Sequence, residues 1–173
     1  YNINQFYFCD NYILKKQQLD DDYIDYLFDL TKILTEFDNP FIIIPLETIY
    51  KSNSNIDEIV ECIKEILKII CKFGVDISFE ISDDYRNILY IDENLKNNNF
   101  KITFDTGNFY LLNKTNESIL KNIDKIFYLV NHIHLKDRNN ALENVVFNTG
   151  NINFNNFLKF LSENDYSGNL TLE

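Results

Sequence analysis

The sequence predicts a parallel α/β protein, and three observations predict it. Short apolar, β-branched runs alternate with longer segments whose apolar residues recur at helical spacing. The runs read as strands buried on both faces, which in a parallel sheet are covered by helices. Four of the runs also end on a group that can bind a divalent metal: Glu80, Asp105, His134 and Glu173. Their separations of roughly 25 to 40 residues suit one strand-plus-helix unit each in an α/β barrel.

Asn4–Cys9 is short and aromatic and reads as the first strand. Asp20-Asp21-Asp22 then supplies N-cap chemistry and negative charge for a helix start. That helix carries Tyr23, Tyr26, Leu27, Leu30, Ile33 and Leu34 at helical spacing. Phe41-Ile42-Ile43-Ile44 follows a proline and is too short and too β-branched for anything but a buried strand. Asn55-Ile56-Asp57-Glu58 resembles a capping box and opens the clearest helix, with Ile56, Ile59, Val60, Ile63, Ile66, Leu67 and Ile70 on one face. Gly74 is placed to cap its end, and Val75–Glu80 is the next strand.

Residues 83–95 form a weaker helical pattern, 100–105 a strand, 117–129 a helix and 130–135 a strand. Residues 139–151 read as a loop, 154–164 as a helix and 170–173 as a last strand. The predicted order is β-α-β-α-β-α-β-α-β-α-β. No linker, low-complexity block or short-period repeat interrupts it, so residues 1–173 are expected to form a single domain. About six strands are counted against eight for a closed barrel. An open doubly wound sheet therefore stands beside the barrel as an alternative.

The net charge of −11 disfavours nucleic acid and anionic membranes, which reward a basic surface. No apolar run approaches the ~20 residues that cross a bilayer. The three cysteines, Cys9, Cys62 and Cys71, form no CxxC pair. With no signal peptide, they fit a reducing cytosol and a cytoplasmic location. Abundant Asn, Ile and Lys with scarce Gly and Pro is read as coding bias. Methionine is absent even at position 1, and the chain stops on Glu173 inside a strand pattern. Both ends are accordingly read as artificial.

A hard divalent cation favours carboxylate oxygens with a few imidazoles, which Glu80, Asp105, His134 and Glu173 supply. Two glutamates on separate strands could flank a bound polyol, one abstracting a proton from carbon and the other returning it. Each carboxylate taken alone has a plainer reading, as a cap for the next helix. His132 and His134, the only histidines, alternate on one strand and face the same side. His134 is the preferred ligand because it lies nearer the carboxyl end, with His132 a layer deeper.

Several motifs now resemble a known family. Phe104-Asp105-Thr106-Gly107, Ile133-His134-Leu135-Lys136-Asp137 and Tyr166-Ser167-Gly168-Asn169-Leu170-Thr171-Leu172-Glu173 are similar to signatures of the xylose isomerase-like barrel superfamily. Asn148-Thr149-Gly150-Asn151-Ile152-Asn153 resembles the glycine-containing loop before its penultimate helix. The likeness is good from about Phe41 onward and only topological before it. It implies a (β/α)8 TIM barrel of which this chain covers strands two to seven. It makes Glu80, Asp105, His134 and Glu173 the metal ligands, with Glu80 and Glu173 the acid/base pair.

The implied activity is a divalent-metal-dependent sugar or sugar phosphate isomerase or epimerase, with Mn, Mg, Co or Zn as cofactor. A non-catalytic barrel that binds a ligand or partner is the alternative, and an inosose dehydratase-type lyase a third reading. A small-molecule sugar or sugar phosphate is the expected partner, with assembly into a homo-oligomer left open. Endonuclease IV-type relatives need a histidine cluster for three zinc ions, which two histidines cannot build.

The family commonly has a histidine where this chain has Asn108, a neutral hydrogen-bonding group and a poorer ligand. Lys136 and Arg138 both lie where epimerases place a substrate-contacting arginine. Lys136 could instead pair with Asp137 or another nearby acid. Glu47, after residues 41–46, is a further candidate for the substrate pocket or for a helix entry. Phe109 and Tyr110 could wall a sugar site, with ordinary core packing the plainer reading.

Overall fold

The computed structural model describes residues 7–9, 21–46, 55–96 and 99–173. These residues form two compact units, one drawn from Tyr1–Ile81 and Leu89–Lys101, the other from Ser82–Ile88 and Ile102–Glu173.

The first unit holds β1 (Tyr7–Cys9), α1 (Asp21–Leu34), β2 (Phe41–Pro45), α2 (Ile56–Ile70) and β3 (Asp76–Glu80). The strands pair in parallel in the order β1-β2-β3, with Tyr7 opposite Phe41 and Pro45 opposite Glu80. Every residue of β2 is buried, as expected of a strand covered on both faces. In α2 the Asn55 side chain accepts from the Asp57 amide at 3.1 Å, so the predicted cap forms. Six of the seven residues predicted for its apolar face are buried, Ile56 being the exception at the helix start.

A 3-10 turn, Cys71–Phe73, ends α2 on Gly74, whose φ of +67° is the left-handed conformation foreseen for it. In α1 the buried stripe is Tyr23, Leu27, Thr31 and Leu34. Ile33 is 60% exposed, contrary to the periodic reading. Thr31 takes the inner position because its hydroxyl donates to the Leu27 carbonyl at 2.6 Å, which satisfies it inside the core.

Helix α3 (Tyr85–Leu95) starts later than the pattern suggested. The Asp84 carboxylate accepts from the Arg86 amide at 3.0 Å and is held near pKa 2 by the hydrogen-bonded Arg86 guanidinium.

The second unit holds β4 (Ile102–Asp105), α4 (Thr106–Asn113), α5 (Asn116–Ile126), β5 (Val130–Leu135), the short strands β6 (Asp137–Arg138) and β7 (Asn144–Val145), α6 (Phe154–Glu163) and β8 (Asn169–Leu172). Strand β5 lies between β4 and β8, parallel to both. The predicted loop 139–151 contains one arm of an antiparallel β6–β7 pair. Helix α4 was not predicted. Its Phe109 and Tyr110 are buried, and Phe109 stacks on Phe104 at 4.0 Å while Phe104 lies 6.1 Å from Phe157. Core packing is therefore their role.

The pairing of β4 with β5 carries a bulge. Ile102 faces Val130, but Thr103 faces His132, so Asn131 is the extra residue. A bulge shifts one strand's register by one residue. Here the shift sets Asp105 level with His134; without it Asp105 would face Ile133.

Candidate active site

Asp105, His134 and Glu173, three of the predicted ligands, come together in the second unit. Asp105 is the last residue of β4, fully buried. Its Oδ1 accepts from the Asn108 amide at 2.9 Å and so caps α4. The capping role weighed for strand-end carboxylates is thus realised, and Oδ2 is left facing the site. His134 lies beside it on β5 and is buried. Glu173 follows β8, its backbone N–H donating to the Leu135 carbonyl, and its Oε1 lies 3.1 Å from His134 Nδ1.

Lys136 closes the cluster. Its Nζ is 2.8 Å from Asp105 Oδ2 and 2.5 Å from Glu173 Oε2. Its acids are therefore these two and not Asp137. Burial by itself would lower the Lys136 pKa, but the carboxylates of Asp105 and Glu173 outweigh it and raise the value. Thr106 Oγ1 fixes the Lys136 backbone, accepting from its N–H at 3.0 Å and donating to its carbonyl at 2.8 Å.

Burial pushes the His134 pKa down, against the upward pull of Glu173 and Asp105 and with a further lowering from Lys136. A neutral imidazole is the form that ligates a metal. His132 is fully buried one step deeper on the same face, its ring edge-on to that of His134 at 5.2 Å. Its Nε2 lies 3.0 Å from Thr171 Oγ1. Burial first, and then His134, bring its pKa down to about 4.

The Arg138 guanidinium donates to the carbonyls of Gly107 at 3.1 Å and Leu142 at 2.8 Å, and to Asn108 Oδ1 at 3.1 Å. A substrate role for Arg138 would have to coexist with these contacts. Glu80 ends β3 in the first unit and is buried. Glu47 lies outside the described residues.

Sequence reasoning missed Asp137. This fully buried residue accepts from the amides of Arg138 at 2.8 Å, Gly150 at 2.8 Å and Ile152 at 3.2 Å. It ties the loop after β7 to the start of β6. The only signal was the closeness of two motifs in sequence, which did not indicate that one carboxylate joins them.

Two carboxylates and a neutral imidazole at adjoining strand ends form a donor set suited to a hard or borderline divalent ion. A bound ion of that kind stabilises negative charge developing on neighbouring oxygens.

Comparison with known proteins places this fold. The family model for the xylose isomerase-like TIM barrel matches residues 7–173. No curated protein matches. Among solved structures, the probable 3-DHS dehydratase AsbF involved in petrobactin synthesis from Bacillus anthracis superposes with a TM-score of 0.77 at 16% identity, covering 99% of this chain and 70% of AsbF. The D-psicose 3-epimerase of Clostridium cellulolyticum H10, solved with D-tagatose, gives 0.71 at 18% identity, covering 92% and 60%. The IolI protein with a bound zinc atom gives 0.70 at 18% identity, covering 90% and 63%. The chain thus spans under two thirds of the length of the last two, and the parallel βα units it holds are part of a TIM barrel.

Proposed function

Because the chain belongs to the xylose isomerase-like TIM barrel family, we propose that it is a divalent-metal-dependent sugar or sugar phosphate isomerase or epimerase. The observation that carries this reading is the register of β4 on β5, which sets Asp105 beside His134 with Glu173 Oε1 3.1 Å from the imidazole.

Asp105, His134 and Glu173 would hold the ion together with Glu80, another buried carboxylate at a strand end that offers a ligand atom. Mn, Mg, Co or Zn all suit such donors, and the zinc in the IolI neighbour supports a metal here. When bound, the ion supplies charge stabilisation to the oxygens of an enediolate. Glu173 would take the proton from the carbon next to the carbonyl and Glu80 would return it. For an epimerase the proton returns on the opposite face, which requires two separate carboxylates. Lys136, which pairs with Asp105 and Glu173, would meet a substrate oxygen or phosphate. Asn108, Arg138 and Glu47 complete the proposed substrate contacts.

The test is exchange of a substrate C–H proton with solvent deuterium, followed by NMR on a panel of ketoses and ketose phosphates that includes D-tagatose. Glu173→Gln should abolish exchange while metal stays bound. Exchange that continues unchanged would remove Glu173 from the acid/base role.

The likeness to a dehydratase favours a second reading, a lyase that uses the same ligands and expels water. An unsaturated product, seen by its ultraviolet absorbance, would select it. Protein that holds no stoichiometric Mn, Mg, Zn, Co or Fe after purification would instead select a non-catalytic binding domain.

A further inference from the structure

We propose that Lys136 is a positioning residue that competes with the metal for its own ligands, so that a divalent ion binds only as the ammonium leaves. The inference rests on the metal-site reading above and concerns how that site is filled.

Three features of the second unit carry it. The ammonium sits between Asp105 Oδ2 and Glu173 Oε2, at 2.8 and 2.5 Å. Charge-assisted contacts of this length are among the stronger hydrogen bonds a protein makes. Asp105 Oδ1 is engaged by the Asn108 amide at 2.9 Å, so Oδ2 is the oxygen through which Asp105 can meet a cation. It is the oxygen that Lys136 holds.

The root of the lysine cannot move with its tip. Thr106 Oγ1 bonds both the N–H and the carbonyl of Lys136. Gly107 lies against its stem so closely that a Cβ there would fall 2.9 Å from Cγ and 3.1 Å from Cβ and Cδ. Displacement is therefore a rotation of the outer stem and ammonium, which the flexible lysine side chain permits. The carboxylates stay paired before the ion arrives, and like-charge repulsion between Asp105 and Glu173 is countered throughout. The same pairing weakens metal binding, because the ion must replace an existing partner.

Two measurements on the full chain test this. Calorimetric titration with Mn²⁺ compares wild type with Lys136→Met. The variant should bind about tenfold to a hundredfold more tightly, one to two decades at ~1.4 kcal/mol each. Loss of a positive charge alone would also tighten binding, so the second measurement reads displacement itself. Acetylation of Lys136 by an N-hydroxysuccinimide ester, followed by peptide mass spectrometry, should run at least about fivefold faster with saturating Mn²⁺. Exposed Lys159 serves as the internal reference, with an unchanged rate.

Mn²⁺ binding that leaves Lys136 acetylation unchanged or slower overturns this inference and leaves the metal site standing. Failure of Mn²⁺ to bind either wild type or Lys136→Met at millimolar concentration overturns both. Equal affinities for wild type and variant overturn the competition.

Discussion

Replacing Asp137 with alanine should destabilise the second unit by about 2–4 kcal/mol, and the figure can be worked from its contacts. The carboxylate accepts three backbone N–H groups, from Arg138, Gly150 and Ile152. A buried donor left without an acceptor costs about 1–3 kcal/mol. Ile152 is 4% exposed and its amide would bear that cost in full. Arg138 and Gly150 are half-buried, so water can reach their amides and each adds less. Returning a buried carboxylate's share of solvation offsets part of the loss. Asp137→Asn keeps one acceptor oxygen, so about half the effect should remain. Urea midpoints give the stability change, and hydrogen exchange at Gly150 and Ile152 shows whether the loop has detached. If both variants stay within ~0.5 kcal/mol of wild type and exchange at both amides is unchanged, the carboxylate does not hold the loop.

Three further outcomes are expected. At pH 8 iodoacetamide should modify exposed Cys71 while sparing Cys62, whose thiol burial pushes up to about 11. Folding favours the neutral thiol, so any stability it adds is lost as pH rises from about 9 toward 11; equal labelling of the two peptides at pH 8 would contradict the burial. Gly74→Ala should cost about 1 kcal/mol from its φ of +67°, with no steric share because no atom lies within 4 Å of the added Cβ, and Gly74→Asn should cost less by urea unfolding. Phe104→Ala should cost roughly 3–5 kcal/mol by removing the ring stacked on Phe109 and Phe157; a loss under ~1.5 kcal/mol would mean that the core collapses to fill the gap.

Elements whose signal is local were readable in the sequence. Helix α2 announces itself through an Asn cap, a 3.6-residue apolar stripe and a terminal glycine, and all three hold. Strand β5 falls on the predicted residues because a run of apolar and histidine residues fits no other element. Helix α4 was invisible because Gly107, Phe109, Tyr110, Leu111 and Leu112 give it almost no amphipathic period, and Phe109 and Tyr110 both turn into the core. The bulge at Asn131 was invisible for a different reason. Period-2 alternation reports which face a side chain takes, and not which residue of the next strand lies opposite. The candidate ligands could be named from strand ends, but their level in the sheet depends on that one extra residue. Lys136 posed the same limit: sequence offered Asp137 as its neighbour, whereas the fold brings Asp105 and Glu173 from 31 and 37 residues away.

The departure at Asn108 looks different once its contacts are known. Read as a missing histidine, it weakens the case for a working site. In the fold its amide N–H donates to Asp105 Oδ1 while its side-chain oxygen accepts from Arg138 Nη2. The position links a candidate ligand to a guanidinium that also braces Gly107 and Leu142. Arginine presents donors only, so its partner must offer an acceptor, and an amide oxygen does so at any pH. A histidine there could accept from Arg138 only in its neutral form, and beside a guanidinium that condition would make the brace depend on pH. Where the family resemblance leads one to expect a histidine, asparagine thus gives Arg138 a permanent acceptor. In the proposed site the ion would be held by Asp105, His134 and Glu173 without position 108, so the substitution would bear on substrate positioning before metal binding.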